Sequence, residues 1–363
     1  MFRPGVVAVA SLALLLTHVA AFASQGRIRM PPRPCPDLSQ ILSYGRARGG
    51  AASDHRGGAF VVWADDRAIS VQRFGPSGGI APGWPAPGLA LGWIAPSEEG
   101  YQSFVAADSA GGALVAWIGR RGEVRLQRVA ADCGVAPGWP AEGMVVCELS
   151  GTGRHPAVAM TGRASAMVVW REQETNGTQS IRLARVRFAG APVDVGPANG
   201  QVLASGHELM NLTEIVADGR GGGILLWRRA GEAERTTTFV LQRVLASGET
   251  APGWPSEGLA GGQRVALGEA FDDEVEQPLL AADGRNGALL VWSTGQRVDR
   301  ERYEIDVVAQ RISGDGRIAP GWPAGGRTIA GDRGDQRLAA IAPDRRGILF
   351  AWFDDAVEDR IRV

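Results

Sequence analysis

The chain has 363 residues, 45% of them hydrophobic and 21% charged, with 38 basic side chains against 39 acidic ones and a formal net charge of −1. That supplies ample apolar matter for a packed core. The absence of any block of like charge excludes an electrostatic footprint for nucleic acid or for an anionic membrane surface. Every lysine-or-arginine position is arginine, a usage that codon composition accounts for better than a demand for bidentate ion pairs.

The first 23 residues form an element of their own. Arg3 precedes an apolar run from Val7 to Phe22, and Ala21-Phe22-Ala23 offers an Ala-x-Ala cleavage site before Ser24. The pattern reads as a secretory signal peptide, with an uncleaved N-terminal anchor as the alternative. No later stretch is long and apolar enough to cross a bilayer. The expected mature protein is therefore exported (secreted, periplasmic or at the cell surface) and has no membrane span after signal cleavage. Residues 24–38, which include Pro31-Pro32-Arg33-Pro34-Cys35-Pro36, read as an extended Pro/Arg-rich leader. Cys133 and Cys147 flank one later loop and are the expected disulfide, with Cys35 left over or competing. No other ligand-type residue stands at metal spacing beside them, so neither a metal nor any other cofactor is expected.

From Ser39 to Val363 the sequence repeats, and this span reads as a single domain. Six tryptophans, Trp63, Trp117, Trp170, Trp227, Trp292 and Trp352, recur at separations of 54, 53, 57, 65 and 60 residues. The unit is plainest at 104–146. A short strand, Phe104-Val-Ala-Ala, runs into a turn opened by Asp108 and closed by Gly112. A second strand follows from Ala113 to Trp117, with Ala113, Val115 and Trp117 expected on one face by period-two alternation. A third, Val124 to Val129, ends Gln-Arg-Val. The pentapeptide Ala-Pro-Gly-Trp-Pro then leads to a fourth strand near Met144–Val146. Asp54, Asp218, Asp283 and Asp344 open the equivalent turns, and Gly58, Gly222, Gly287 and Gly347 close them. An Asp that bonds its own backbone, followed by a Gly at positive φ, gives such hairpins a mechanism. The pentapeptide returns with Trp84, Trp139, Trp254 and Trp322. In the third unit Thr161 and Ser165 replace Asp and Gly, Ala184 replaces Gln, and Gly-Trp-Pro is missing, with Val193 or Val195 expected to fill its gap.

After Trp352 only Ile361-Arg362-Val363 remains of a third strand, whereas Ser39–Tyr44 reads as a spare fourth strand at the other end. Six units of four short antiparallel strands with complementary ends read as an all-β, six-bladed β-propeller, closed by pairing of the N-terminal strand with the C-terminal blade. An interrupted coding sequence is the competing reading of the abrupt stop.

The string Asp-x-x-Gly-Gly-Ala-Leu-Val-Ala-Trp, then Gln-Arg-Val, then Gly-Trp-Pro, also resembles a repeat of secreted bacterial β-propeller proteins. The resemblance covers nearly the whole mature chain and implies the fold; the functions of that family are mostly unassigned. Many of its members carry a C-terminal sorting domain, which these residues do not show. The Asp turn faintly resembles the Asp-box of sialidases, but Ser-x-Asp-x-Gly-x-Thr-Trp is not matched.

Strand order puts the regular Asp turns and Gly-Trp-Pro loops at one end of every blade and irregular loops at the other, where binding residues are expected. Trp93, Tyr101, Phe271 and Tyr303 fall on the irregular segments and offer flat faces to sugar rings, or else anchor the loops by packing. Asp272, Asp273, Glu274 and Glu276 would hold a cation or act as general acid and base, or else form a solvated loop. The Gly-Trp-Pro tryptophans are expected to plug gaps between blades rather than form a ring of sites. His55, His155 and His207 fall in different units, without a nucleophile or metal partner nearby. The expected function is non-catalytic binding of a protein or glycan. The alternative is a glycoside hydrolase or lyase with carboxylates at the mouth of the irregular face.

Overall fold

The computed structural model describes residues 50–362, apart from 65–67, 95–103, 189–193, 208, 231–235, 257, 267–277, 298–302, 332–333, 345–346 and 355–359. The expected strand Ser39–Tyr44, the signal peptide, the leader with Cys35, Tyr101 and the Phe271–Glu276 run lie outside the described residues. The chain is all-β and divides into two compact units, one ending at Leu203 and one beginning at Ala204.

In the first unit, β1 (Ala51–Ser53), β2 (Ala59–Ala64), β3 (Ala68–Phe74) and β4 (Leu89–Trp93) form one four-stranded antiparallel sheet in sequence order. A second sheet holds β5 (Phe104–Ala107), β6 (Ala113–Ile118), β7 (Glu123–Val129) and β8 (Met144–Glu148). The third holds β9 (Thr152–Gly162), β10 (Ser165–Gln173), β11 (Gln179–Arg187) and β12 (Asp194–Gly206). The second unit repeats the plan with β13 (Leu209–Ala217), β14 (Gly223–Ala230), β15 (Thr236–Val244) and β16 (Leu259–Ala266). Next come β17 (Leu279–Ala282), β18 (Ala288–Arg297), β19 (Tyr303–Ile312) and β20 (Arg327–Ala330). The last sheet has three described strands, β21 (Gln336–Asp344), β22 (Gly347–Asp354) and β23 (Arg360–Arg362). These up-and-down sheets are consistent with propeller blades.

The second strand of a sheet is buried on both faces. Ala113, Val115 and Trp117 pack with Phe60, Val62 and Val71 of the first sheet. Leu114 and Ala116 pack with Val158, Val168 and Trp170 of the third. Sheets stacked face to face leave the central strands no solvated side, so alternation disappears from β6 (Ala-Leu-Val-Ala-Trp-Ile) and a continuous apolar run replaces it. In the second unit Leu226, Leu241 and Trp254 share a cluster with Leu290 and Trp292.

The Asp turns have a more specific construction than a positive-φ glycine. Asp108 N–H donates to Gly112 O at 2.8 Å. The Asp108 Oδ1 atom accepts the amides of Ala110 at 2.9 Å and Gly112 at 2.8 Å. The positive φ belongs to the residue before the closing glycine: Gly57, Gly111, Gly221 and Asn286. Gly112 is required for space instead, because a Cβ there would run into the main-chain carbonyl of Val129. Oδ2 of the same Asp pairs with the arginine of Gln-Arg-Val: Arg73–Asp54 at 2.8 Å, Arg128–Asp108 at 2.7 Å, Arg243–Asp218 at 2.8 Å and Arg311–Asp283 at 2.8 Å. In the third sheet Thr161 Oγ1 and Ser165 Oγ meet at 3.3 Å, so two hydroxyls stand in for the carboxylate and the glycine. Asp344 lies opposite Gly347 in the β21–β22 register.

Cys133 and Cys147 are free thiols, contrary to the expected disulfide. They face different interfaces: Cys133 packs against the cluster between the first and second sheets, and Cys147 belongs to the cluster between the second and third. Burial raises both thiol pKa values, with Asp132 adding to the effect at Cys133 and Glu172 at Cys147, so neither is a reactive thiolate.

Candidate functional site

The irregular end of each sheet carries the b–c and d–a connections, and four carboxylate groups lie there or within the strands leading to it. In the third sheet, the β10 residue Glu172 is buried and fully engaged. Its Oε1 accepts both the amide and the hydroxyl of Ser150 at 2.8 Å, and its Oε2 pairs with Arg182 at 2.9 Å. Arg182 continues to Glu174 at 3.6 Å and to the carbonyl of Asn199 at 3.1 Å. Every oxygen of Glu172 is satisfied by a charged or hydrogen-bonded partner, which fits a brace between connector and sheet. Glu123 is held similarly: Arg125 Nε donates to it at 2.7 Å and the amide of Arg121 at 2.8 Å. Burial opposes its ionisation, but Arg125 and the amides outweigh burial and leave the pKa lowered.

Glu214 differs. It lies on β13 opposite Leu226, and its Oε2 accepts the main-chain N–H of Leu280 on β17. Burial pushes its pKa up to about 8, the Leu280 amide opposing only in part. A carboxyl that keeps its proton at neutral pH can donate to an acceptor, which is the state a general acid needs. Nothing in the local sequence, Leu-Thr-Glu-Ile-Val, marks this residue, because its environment is made by the neighbouring sheet. Asp306 on β19 also has a raised pKa, first through burial and then through Glu304. Beside it, the amide of Ile305 donates to Asp335 Oδ1 at 3.2 Å.

Of the aromatic residues expected from the sequence, two fall within the described residues. Trp93 is the last residue of β4, opposite Ala68, where the strand meets the connector to the next sheet. It is 56% exposed, the most exposed large hydrophobic side chain among the described residues. Tyr303 lies in β19 opposite Arg297, on a strand rather than in the expected loop, because β18 and β19 extend the hairpin to that point. The two residues belong to different units. Among the described residues no group of three or more His, Cys, Asp or Glu side chains is placed to hold a metal, and none forms a helix long and apolar enough to cross a membrane.

The Gly-Trp-Pro tryptophans are not open to solvent as a set. Trp84, Trp139 and Trp254 are buried, and Trp322 is partly so. The Trp84 indole N–H donates to Ala131 O of the second sheet at 3.2 Å, and that of Trp254 to Gly314 O of the fifth at 3.1 Å. Trp139 meets the Phe188 ring of the third sheet edge-on, centroids 5.8 Å apart. Val195 packs against the cluster between the second and third sheets, and Val193 is outside the described residues.

No protein-family model matches the sequence, and no curated protein matches it. Among solved structures the chain is similar to SapL1 lectin in complex with alpha methyl fucoside, at 15% identity over 85% of this chain and 87% of that one, with a TM-score of 0.41. It is similar to AofleA from Arthrobotrys oligospora at 12% identity over 88% and 82%, TM-score 0.43. It is also similar to an endo-arabinase from Bacteroides thetaiotaomicron at 11% identity over 72% and 92%, TM-score 0.37.

Proposed function

We propose that the chain is an exported, non-catalytic β-propeller of six blades that binds a glycan at its irregular end, with Trp93 as the stacking platform. The exposed indole of Trp93 carries this reading. A tryptophan standing free at a strand end, next to a connector, offers a large flat face to a sugar ring at little entropic cost. The regular end, by contrast, has its tryptophans committed to packing. Ring closure belongs to the same reading: Ser39–Tyr44 would add to β23 as the fourth strand of the last sheet. The signal-peptide pattern of residues 1–23 supports export. A glycan array probed with the purified mature chain tests the proposal. Selective binding to a related group of glycans is the expected result, and a blank array alongside capture of a protein partner would replace glycan by protein.

A second reading, a carbohydrate-active enzyme, is favoured by the carboxyl of Glu214, which accepts the Leu280 amide and whose pKa burial raises to about 8. Release of reducing ends from a polysaccharide panel by the wild-type protein, and its loss in Glu214→Gln, would establish that reading. No release from any member of the panel leaves Glu214 a structural residue.

A further inference from the structure

The residues beside Trp93 narrow the kind of glycan that its open indole suits. Ile94, the residue after it, forms an antiparallel bridge with Gly119, which opens the turn between β6 and β7. The end of the first sheet is thereby joined to the b–c turn of the second, inside the unit that ends at Leu203. Next to an antiparallel bridge the flanking residues form the following pair, on the opposite face. Trp93 and Arg120 are that pair, and since Ile94 is buried they face outward. Arg120 and Arg121 are both exposed, and among the described residues neither guanidinium has a hydrogen-bond or ion-pair partner. Their turn is firmly built. Gly119 N–H donates to Glu123 O at 2.7 Å and Gly122 N–H to Gly119 O at 3.0 Å, with Gly122 at φ 78°, a hairpin loop closed by a glycine bulge. Glu123 spends its carboxylate on Arg125 and on the Arg121 amide, not on the arginine side chains of the turn. Two cationic forks thus stand beside a flat indole on a backbone that is already ordered.

The next junction in the same unit supplies a comparison. Glu148 closes β8 opposite Glu123, as Trp93 closes β4 opposite Ala68. The b–c turn of the third sheet repeats the loop. Glu174 N–H donates to Thr178 O at 2.8 Å and Gly177 N–H to Glu174 O at 3.0 Å, with Gly177 at φ 85°. Its exposed central residues are Thr175 and Asn176. The loop backbone is the same, but the indole and both guanidiniums are gone. Joining two sheets therefore does not require them.

We infer that Trp93, Arg120 and Arg121 form a site for an acidic sugar, whose ring stacks on the indole and whose anionic group is held by the guanidiniums. This rests on Trp93 as the sugar platform and names the class of glycan. A guanidinium offers two parallel N–H donors, which match the paired oxygens of a carboxylate or a sulfate. An acidic sugar carries that group on the rim of its ring, so one residue of the glycan can meet the indole with its face and an arginine with its edge.

The test titrates the purified mature chain with oligogalacturonate, oligomannuronate and hyaluronan oligosaccharides, each beside its methyl ester, which keeps the rings and removes the charge. A carrageenan oligosaccharide and its desulfated form cover the other anion. The expected result is a preference of about tenfold or more for a charged member over its uncharged partner, the scale of one charge-assisted pair. A carboxylate preference and a sulfate preference each support the site and identify its anion. Replacing both arginines, Arg120→Gln with Arg121→Gln, should erase the preference at an unchanged Tm, because neither side chain has a partner in the fold. Trp93→Ala should weaken binding of the preferred member. Polyglutamate bound as tightly as that member would overturn the proposal by assigning the arginines to charge alone. Binding that depends on Trp93 but shows no preference for charge overturns it too, and leaves the glycan reading standing. If no glycan binds, or none depends on Trp93, both fall.

Discussion

Asp108 shows how much one repeated residue does. One carboxylate oxygen ties down two amides of the turn, and the other holds Arg128, whose side chain spans from the third strand to the turn. Asp108→Ala leaves the partly buried guanidinium of Arg128 without its carboxylate and frees two amides, and should cost about 1–3 kcal/mol. Gly112→Val should cost at least as much, because the third-strand carbonyl leaves no room for a Cβ. Denaturant melts of both variants check this; wild-type stability in either would show the turn to be unimportant. The Asp turn was legible from spacing alone, but its two physical reasons were not. The clash at Gly112 and the reach of Arg128 depend on the neighbouring strand, which a linear pattern of turn residues does not contain. Two carboxyls also set opposite pH dependences. Burial opposes the ionisation of Asp54, but Arg73 and the amides of Arg56 and Gly58 outweigh it and lower its pKa from 3.8. Its contribution is therefore present above that value and lost as pH falls through the lowered one. Glu214, raised from 4.5 to about 8, keeps its proton in the fold while the unfolded chain releases it. Stability should fall as pH rises from about 4.5 to about 8, and Glu214→Gln should flatten that decline in melts taken across the window. A slope unchanged by the substitution would mean another group governs it.

At the scale of elements, the second sheet was readable almost strand by strand. Phe104–Ala107 matches β5 throughout, and the other three strands of that unit differ by one or two residues at their ends. The third sheet was harder, since its turn residues are degenerate and its strands run longer, to thirteen residues in β12. The alternation in β6 held: Ala113, Val115 and Trp117 share one interface and Leu114 and Ala116 the other, but stacking of sheets on both sides buries both faces, which alternation alone does not tell. Tyr303 was misplaced into a loop because a charged, turn-like sequence is compatible with an extended hairpin end once β18 and β19 pair. The Gly-Trp-Pro tryptophans give a graded prediction. Trp139→Ala removes a buried ring packed on Phe188 and should cost about 3–5 kcal/mol, whereas Trp322→Ala, which removes an only partly buried ring, should cost clearly less. Equal losses in thermal or denaturant melts would show that Trp322 is packed as tightly as Trp139.

For the whole molecule, the repeat explains why the regular end is a poor place for recognition. Its residues are spent on Asp–Arg pairs, turn glycines and packed indoles, repeated in four of the sheets. Recognition falls to the irregular end, where Trp93 stands free and Glu172 braces a connector. The sequence singled out Trp93 by its place in an irregular segment, but it had no signal for Glu214, whose proton depends on the neighbouring sheet. The most direct test of this division of labour is a titration of a glycan bound by the wild-type chain against Trp93→Ala, with melting curves of both. The account predicts a loss of at least about tenfold in affinity, the scale of one lost stacking contact, at an unchanged Tm. Full affinity in Trp93→Ala, with the fold intact, would contradict it.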